Sequence, residues 1–360
     1  MTKLHQVAEL GQAIWLDYIQ RSLIATGQLR QLMDEGVRGV TSNPSIFRKA
    51  IAGSSDYQDD LVALAADGKD TSGIYECLAV DDIRAAADVL RPLYDSSDVL
   101  DGYVSIEVSP LLAYDTAATI AEAHRLWEWI DRPNVFIKVP ATPEGYPAIE
   151  ELVSSGINVN VTLIFSLEQY QAIAEAYISG LEKASVAGRD IRTIRSVASL
   201  FVSRVDGKVD PLLAERGEQA LLGKIALANA KVCYQLFKQL FSGDRWNRLA
   251  GMGAYVQRPL WASTSAKNPA YPKTLYVDNL IGPFTVNTAP PATIEAYKTS
   301  GRVEVTVEEG LKEAQIALDS LPEMGINLDA IMAQLLDEGV VQFENAYKEL
   351  LATIEERAAG

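Results

Sequence analysis

The tightest constraint on this chain is a recurring pattern. Short apolar segments alternate with helical stretches, and several of the apolar segments carry a polar residue at every second position. The run Asn134-Val135-Phe136-Ile137-Lys138-Val139-Pro140 shows it best. Side chains alternate along a strand, so Val135, Ile137 and Val139 share one face, and Phe136 and Lys138 the other. A strand between helices is usually buried on both faces. Lys138 is then an interior lysine, which is costly unless partners hold the ammonium or it gives up its proton. A lone lysine of this kind reads more simply as a strand-end residue snorkelling to solvent. The same polar pattern on other strands argues against that simpler reading.

Strands are expected at residues 12–19, 39–43, 104–108, 134–140, 158–163, 193–203, 259–265 and 284–288. Helical patterns separate them at 27–35, 81–94, 116–130, 146–154, 167–183 and 215–241. From about residue 291 the chain reads as mostly helical and charged. Eight strands alternating with helices predict an α/β fold, a closed (β/α)8 TIM barrel. A doubly wound open sheet is the runner-up. It fits less well, because one-sided polar strands suit a barrel interior near its C-terminal mouth. The expected organisation is one domain over 1–360, with the helical tail included.

Composition removes several function classes. The formal net charge is −16 with a pI near 4.7, which argues against nucleic acid as a partner. Hydrophobic residues make up 48% and mean hydropathy is +0.03, yet no uncharged apolar run is long enough for a membrane span. The first residues lack an apolar signal core, and Cys77 and Cys233 form no disulfide framework, so a reducing cytoplasm is expected. With His5 and His124 alone, a histidine-based metal site or triad has little material. The fingerprint loops of dinucleotide and Walker-type phosphate sites are absent.

In a closed barrel the polar strand faces converge. Asp17, Asn43, Glu107, Lys138, Asn160, Thr162 and Ser199 then surround one cavity. Each has a plainer reading: Asp17 and Asn43 as helix caps, Glu107 as a paired surface residue, Ser199 as core, Arg204 as a surface cation. Together those readings need many coincidences on successive strands. The chemistry such a set offers is amine catalysis. A lysine whose charged form is disfavoured attacks a ketone and forms a Schiff base. One carboxylate takes a hydroxyl proton as the carbon–carbon bond breaks. A second carboxylate and a hydroxyl hold the water that makes and breaks the imine.

Five stretches carry a resemblance to a known family: Gly39-Val40-Thr41-Ser42-Asn43-Pro44-Ser45, Val104-Ser105-Ile106-Glu107-Val108, Phe136 to Thr142, Asn158 to Phe165, and Ser196 to Arg204. In this order and spacing the chain resembles the transaldolases, in particular the longer bacterial form found alone or joined to a glucose-phosphate isomerase domain. The resemblance implies a circularly permuted (β/α)8 barrel of the Schiff-base aldolase type, with no metal or cofactor. It implies transfer of dihydroxyacetone from sedoheptulose 7-phosphate to glyceraldehyde 3-phosphate, giving erythrose 4-phosphate and fructose 6-phosphate. By match, Lys138 is the Schiff-base lysine and Asp17 the acid/base, while Glu107 and Thr162 position the water. Asn43, Ser105, Asn160 and Ser199 are matched to substrate binding, and Arg204 to phosphate.

Phe201 matches a transaldolase phenylalanine that is tyrosine in fructose 6-phosphate aldolases. Where many transaldolases place a second phosphate arginine, this chain has Ser263-Thr264-Ser265-Ala266-Lys267-Asn268, so Ser265 and Lys267 are the nearest counterparts. The rival functions are an aldolase that releases its three-carbon unit to water, and a non-catalytic sugar-phosphate-binding barrel. The sequence leaves open whether the chain is a monomer or a homodimer, and whether an isomerase domain is attached in the natural gene product.

Overall fold

The computed structural model of the chain describes residues 1–358. Eight parallel strands close into a barrel in chain order, β1 to β8. They are β1 (Gln12–Leu16), β2 (Gly39–Thr41), β3 (Tyr103–Glu107), β4 (Val135–Pro140), β5 (Val159–Ile164), β6 (Ser196–Phe201), β7 (Arg258–Ala262) and β8 (Thr285–Ala289). β1 pairs with β8 along its whole length, Gln12 beside Thr285 through Leu16 beside Ala289, which closes the cylinder. The alternative open sheet is thereby ruled out. Every strand residue but Glu107 is buried, as helices on the outside and packed side chains on the inside require.

Aromatic residues fill the waist of the barrel. The Trp15 and Phe136 rings lie 5.9 Å apart, and Phe136 and Tyr103 4.3 Å apart. The Trp15 indole lies flat on β2 at Gly39. A Cβ there would fall 2.6 Å from the indole, so only glycine lets this ring occupy the interior. At the N-terminal end, Arg258 Nη1 meets Asp101 Oδ1 at 3.1 Å, and Arg38 holds the other carboxylate oxygen. Arg258 also donates to the carbonyls of Leu100 and Thr285, at 3.0 Å each. This end is a sealed ionic plug. The opposite end is the open mouth.

The expected strand positions hold, with β3, β5 and β8 shifted by one residue and the other five shorter. The helical readings need two corrections. The helix expected over 215–241 is confined to Ile225–Leu240, and a separate helix that the sequence reading did not expect, Ser203–Glu215, begins directly after β6. Gly217, at φ 78, stops Ser203–Glu215, because glycine adopts this left-handed conformation without steric cost. The pattern at 81–94 is the C-terminal part of a longer helix, Thr71–Ser96, which holds Pro92 in its interior.

The tail has a place of its own. Its last helix, Leu328–Ala358, lies across the barrel mouth rather than beside the barrel. Glu338 binds Lys208 at 2.6 Å, Glu349 binds Arg48 at 2.6 Å, and the Tyr347 and Ser72 hydroxyls meet at 3.0 Å. Near its end, Arg357 donates to the carbonyls of Ile51 and Ser54. No helix among the described residues is long and apolar enough to cross a membrane.

Candidate active site

The mouth encloses a cavity of about 510 Å³. Lys138 stands on its floor, 5% exposed. Strand register puts Lys138 beside Glu107 of β3 and Asn160 of β5. The ammonium donates to the Ser42 carbonyl at 3.0 Å and lies 3.8 Å from Glu107 Oε2. That is a short supply of partners for a buried cation with three N–H donors.

Two carboxylates face this lysine from different directions. Asp17, just past β1, accepts from the Thr41 hydroxyl at 2.7 Å, and Thr41 in turn meets the Thr288 hydroxyl at 2.6 Å. Burial raises the Asp17 pKa, opposed by the Thr41 hydrogen bond and by the charges of Lys138, Lys267 and Lys49. Burial pushes Glu107 up to about 7, against the pull of Lys138. Glu107 Oε2 and Thr162 Oγ1 are both buried, and neither has a hydrogen-bond partner among the described residues. Buried polar atoms left this way are sites for water or a ligand.

A hydrogen-bonded line runs under the floor. Ser199 donates to Asn160 Oδ1 at 2.7 Å, and Asn160 Nδ2 donates to Ser105 Oγ at 3.0 Å. It fixes which way the Asn160 amide points. Asn43 serves two ends at once. Its side chain accepts from Ile46 N at 3.0 Å, capping the helix Pro44–Gly53, and it lines the cavity.

The outer part of the cavity is cationic. Arg204, in the first turn of Ser203–Glu215, stacks on the Phe201 ring with Cζ 4.9 Å from its centroid. Among the described residues its guanidinium has no hydrogen-bond or ion-pair partner, and burial lowers its pKa. Lys267 donates to Ser265 Oγ at 2.8 Å. Its pKa is lowered by burial, then by the neighbouring charges of Arg204 and Lys49. An unpartnered, half-buried arginine beside two lysines has the charge and the free N–H donors that suit an anion.

The family model described as Transaldolase/Fructose-6-phosphate aldolase matches residues 14–354. The chain belongs to this family. Among curated relatives, it is 49% identical over 359 residues to the Transaldolase of Parafrankia sp. (strain EAN1pec), covering 98% of this chain and 97% of that one. It is 49% identical over 352 residues to the Transaldolase of Thiobacillus denitrificans, covering 97% and 98%. To the Transaldolase of Thermobifida fusca it is 47% identical over 361 residues, covering 99% and 98%.

In this member of the transaldolase/fructose-6-phosphate aldolase family, nine of the residues expected at the site line the cavity: Asp17, Asn43, Lys138, Thr162, Ser199, Phe201, Arg204, Ser265 and Lys267. Glu107 reaches Lys138 from behind, and Asn160 and Ser105 lie beneath the floor. Ser105, matched to substrate binding, is fully buried and is linked to the cavity through Asn160 and then Ser199. Asp17 caps no helix: the residue preceding the next helix is Gln20, and it makes no side-chain cap.

Sequence reasoning missed Lys49, Tyr18 and Phe343, which also line the cavity. The Phe343 ring centroid lies 5.8 Å from Lys138 Nζ. Its only signal was the apolar stripe Leu335, Gly339, Phe343, Tyr347, which shows a buried face without showing what buries it. A larger groove, about 800 Å³, lies between Ser166–Glu168 and the start of the last helix, and no lysine lines it.

Proposed function

We propose that this protein is a transaldolase working through a Schiff base on Lys138. The observation that carries the reading is this lysine, the one lysine on a barrel strand, buried at the mouth between two carboxylates of raised pKa. The neutral amine attacks the ketone carbon of a ketose phosphate, and water leaves as the imine forms. Glu107 and Thr162 hold that water, their unpartnered oxygens being its natural contacts. The protonated imine draws electrons from the neighbouring carbon–carbon bond. Asp17, made a stronger base by burial, takes the proton from the hydroxyl on the far side of that bond. The aldehyde fragment departs, and an enamine of the three-carbon unit stays on Lys138. A second aldehyde then enters, Asp17 returns the proton, and the new ketose is released by hydrolysis.

The substrates proposed are sedoheptulose 7-phosphate as donor and glyceraldehyde 3-phosphate as acceptor, within the non-oxidative pentose phosphate pathway. Arg204, Lys267 and Lys49 supply the local positive field that an anionic sugar needs against the acidic whole. The residues gathered need neither metal nor organic cofactor for these steps. The test is borohydride reduction in the presence of fructose 6-phosphate, followed by a mass measurement. One dihydroxyacetone-derived adduct on Lys138 is expected, and Lys138→Ala should lose both the adduct and turnover while keeping its fold. An adduct at another lysine overturns the reading. Cleavage of fructose 6-phosphate that runs as fast without an acceptor as with one identifies an aldolase instead.

A further inference from the structure

We propose that Phe343, held over the barrel mouth by the C-terminal helix, is a specificity-determining residue that sets whether the three-carbon unit on Lys138 is transferred to an aldehyde or released to water. The inference rests on the Schiff-base reading above. Phe343 stands on the last helix, Leu328–Ala358, and not on a barrel strand. Phe343 is 7% exposed and lines the same cavity as Lys138 and Thr162, with its ring 5.8 Å from Lys138 Nζ. That is within the reach of a cation–π contact. The ring therefore serves the reaction twice. Its face stabilises the positive charge of the protonated imine, and its bulk occupies space where water would otherwise stand.

The helix is built to hold the ring down. Gly339 lies one turn before Phe343, on the same face. A Cβ at Gly339 would sit 2.9 Å from Leu163 Cδ2, so glycine lets the helix approach β5 closely. Leu163 itself stands in a β-bulge directly after Thr162, at φ 61. The Glu338–Lys208 and Glu349–Arg48 ion pairs flank the ring on both sides along the helix. Burial of Phe343 is thus fixed by contacts made before and after it.

Cleavage leaves an enamine on Lys138. Its nucleophilic carbon has two fates. It adds to an aldehyde, forming a new carbon–carbon bond, or it takes a proton from water, forming a C–H bond and leaving hydroxide. In the second case hydroxide adds to the resulting iminium carbon. The hydroxyl proton passes to nitrogen, the C–N bond breaks, and free dihydroxyacetone leaves with the lysine amine restored. One water is consumed and no other reactant is needed. An apolar ring beside Nζ offers that water no hydrogen bond, so it favours transfer.

The experiment measures two rates on the intact chain with fructose 6-phosphate: release of dihydroxyacetone without acceptor, and transfer with glyceraldehyde 3-phosphate. Phe343→Ala should raise the ratio of release to transfer by about tenfold, equivalent to about 1.4 kcal/mol between the two barriers. Phe343→Leu, which keeps an apolar cover, should return most of the way to the wild-type ratio. Gly339→Leu keeps the ring and a good helix former but lifts the helix, and should shift the ratio in the same direction as Phe343→Ala. A merely structural role would lower both rates together. An unchanged ratio in Phe343→Ala and in Gly339→Leu, with Lys138 still trapped by borohydride, overturns this inference alone. Failure to trap Lys138 in the wild type overturns the Schiff-base reading and this inference with it.

Discussion

Glu107 is a carboxylate with few partners for its burial: one lysine at 3.8 Å and an oxygen with no hydrogen bond. Desolvation wins over that lysine and places its pKa at about 7 in the folded chain, above the ordinary value it has when unfolded. A group raised in this way contributes stability in its neutral form. The contribution is complete below the unfolded pKa and is lost as pH rises through about 7. Glu107→Gln removes that loss. The variant should gain stability relative to wild type on going from pH 5 to pH 8, by up to about 3 kcal/mol. Thermal unfolding of both proteins at the two pH values measures it. A difference that does not change with pH would mean that Lys138 keeps Glu107 ionised throughout. The sequence made this pair legible because strand alternation and barrel closure bring Glu107 and Lys138 together. It could not show that Glu107 stands behind the lysine rather than in the cavity wall, since that depends on the register of β3 against β4.

At the scale of elements, the cationic patch is assembled from three places distant in sequence. Arg204 comes from the helix after β6, Lys267 from the loop after β7, and Lys49 from the helix after β2. Arg204 also sits at a helix N-terminus, where backbone N–H groups favour an anion. It was legible because it directly follows a strand. Lys49 was not, because it lies six residues past Asn43 within a helix, where a lysine reads as surface. Arg204→Ala should raise KM for phosphorylated substrates about 10–100-fold, the range of a lost charged hydrogen bond. Trapping with unphosphorylated dihydroxyacetone should stay near wild type. Lys49→Ala should act in the same direction with a smaller effect, because it is the more exposed cation. Steady-state kinetics with both substrate types reads the difference. Equal losses for phosphorylated and unphosphorylated substrates would remove these residues from phosphate binding. The tail was the least legible element. Its apolar stripe predicts a helix with a buried face, but only the closed barrel supplies the surface that it covers.

The whole molecule divides its polar interior between two ends with different tasks. At the mouth, Glu107 Oε2 and Thr162 Oγ1 have no hydrogen-bond partner among the described residues, a shortage that Arg258 Nε shares at the other end. At the opposite end, Asp101 is bound by both Arg38 and Arg258, with side-chain exposures of 5% for Asp101 and 6% for Arg258. In barrels of this kind the C-terminal end carries chemistry and the N-terminal end carries stability. The two should therefore separate by mutation. Removing one partner of a buried ion pair leaves a charge uncompensated and typically costs about 3–5 kcal/mol. Asp101→Ala should fall at the lower end of that range, because Arg258 keeps its hydrogen bonds to the carbonyls of Leu100 and Thr285. The melting temperature should drop, while kcat and KM measured well below it stay within about twofold of wild type, the behaviour of a site that adds stability but makes no transition-state contact. Calorimetry and steady-state kinetics on one preparation check both halves. A fall in kcat that matches the loss of stability would show that the plug reaches the mouth through the aromatic waist of Trp15, Tyr103 and Phe136, and that the barrel works as one rigid body rather than as two ends.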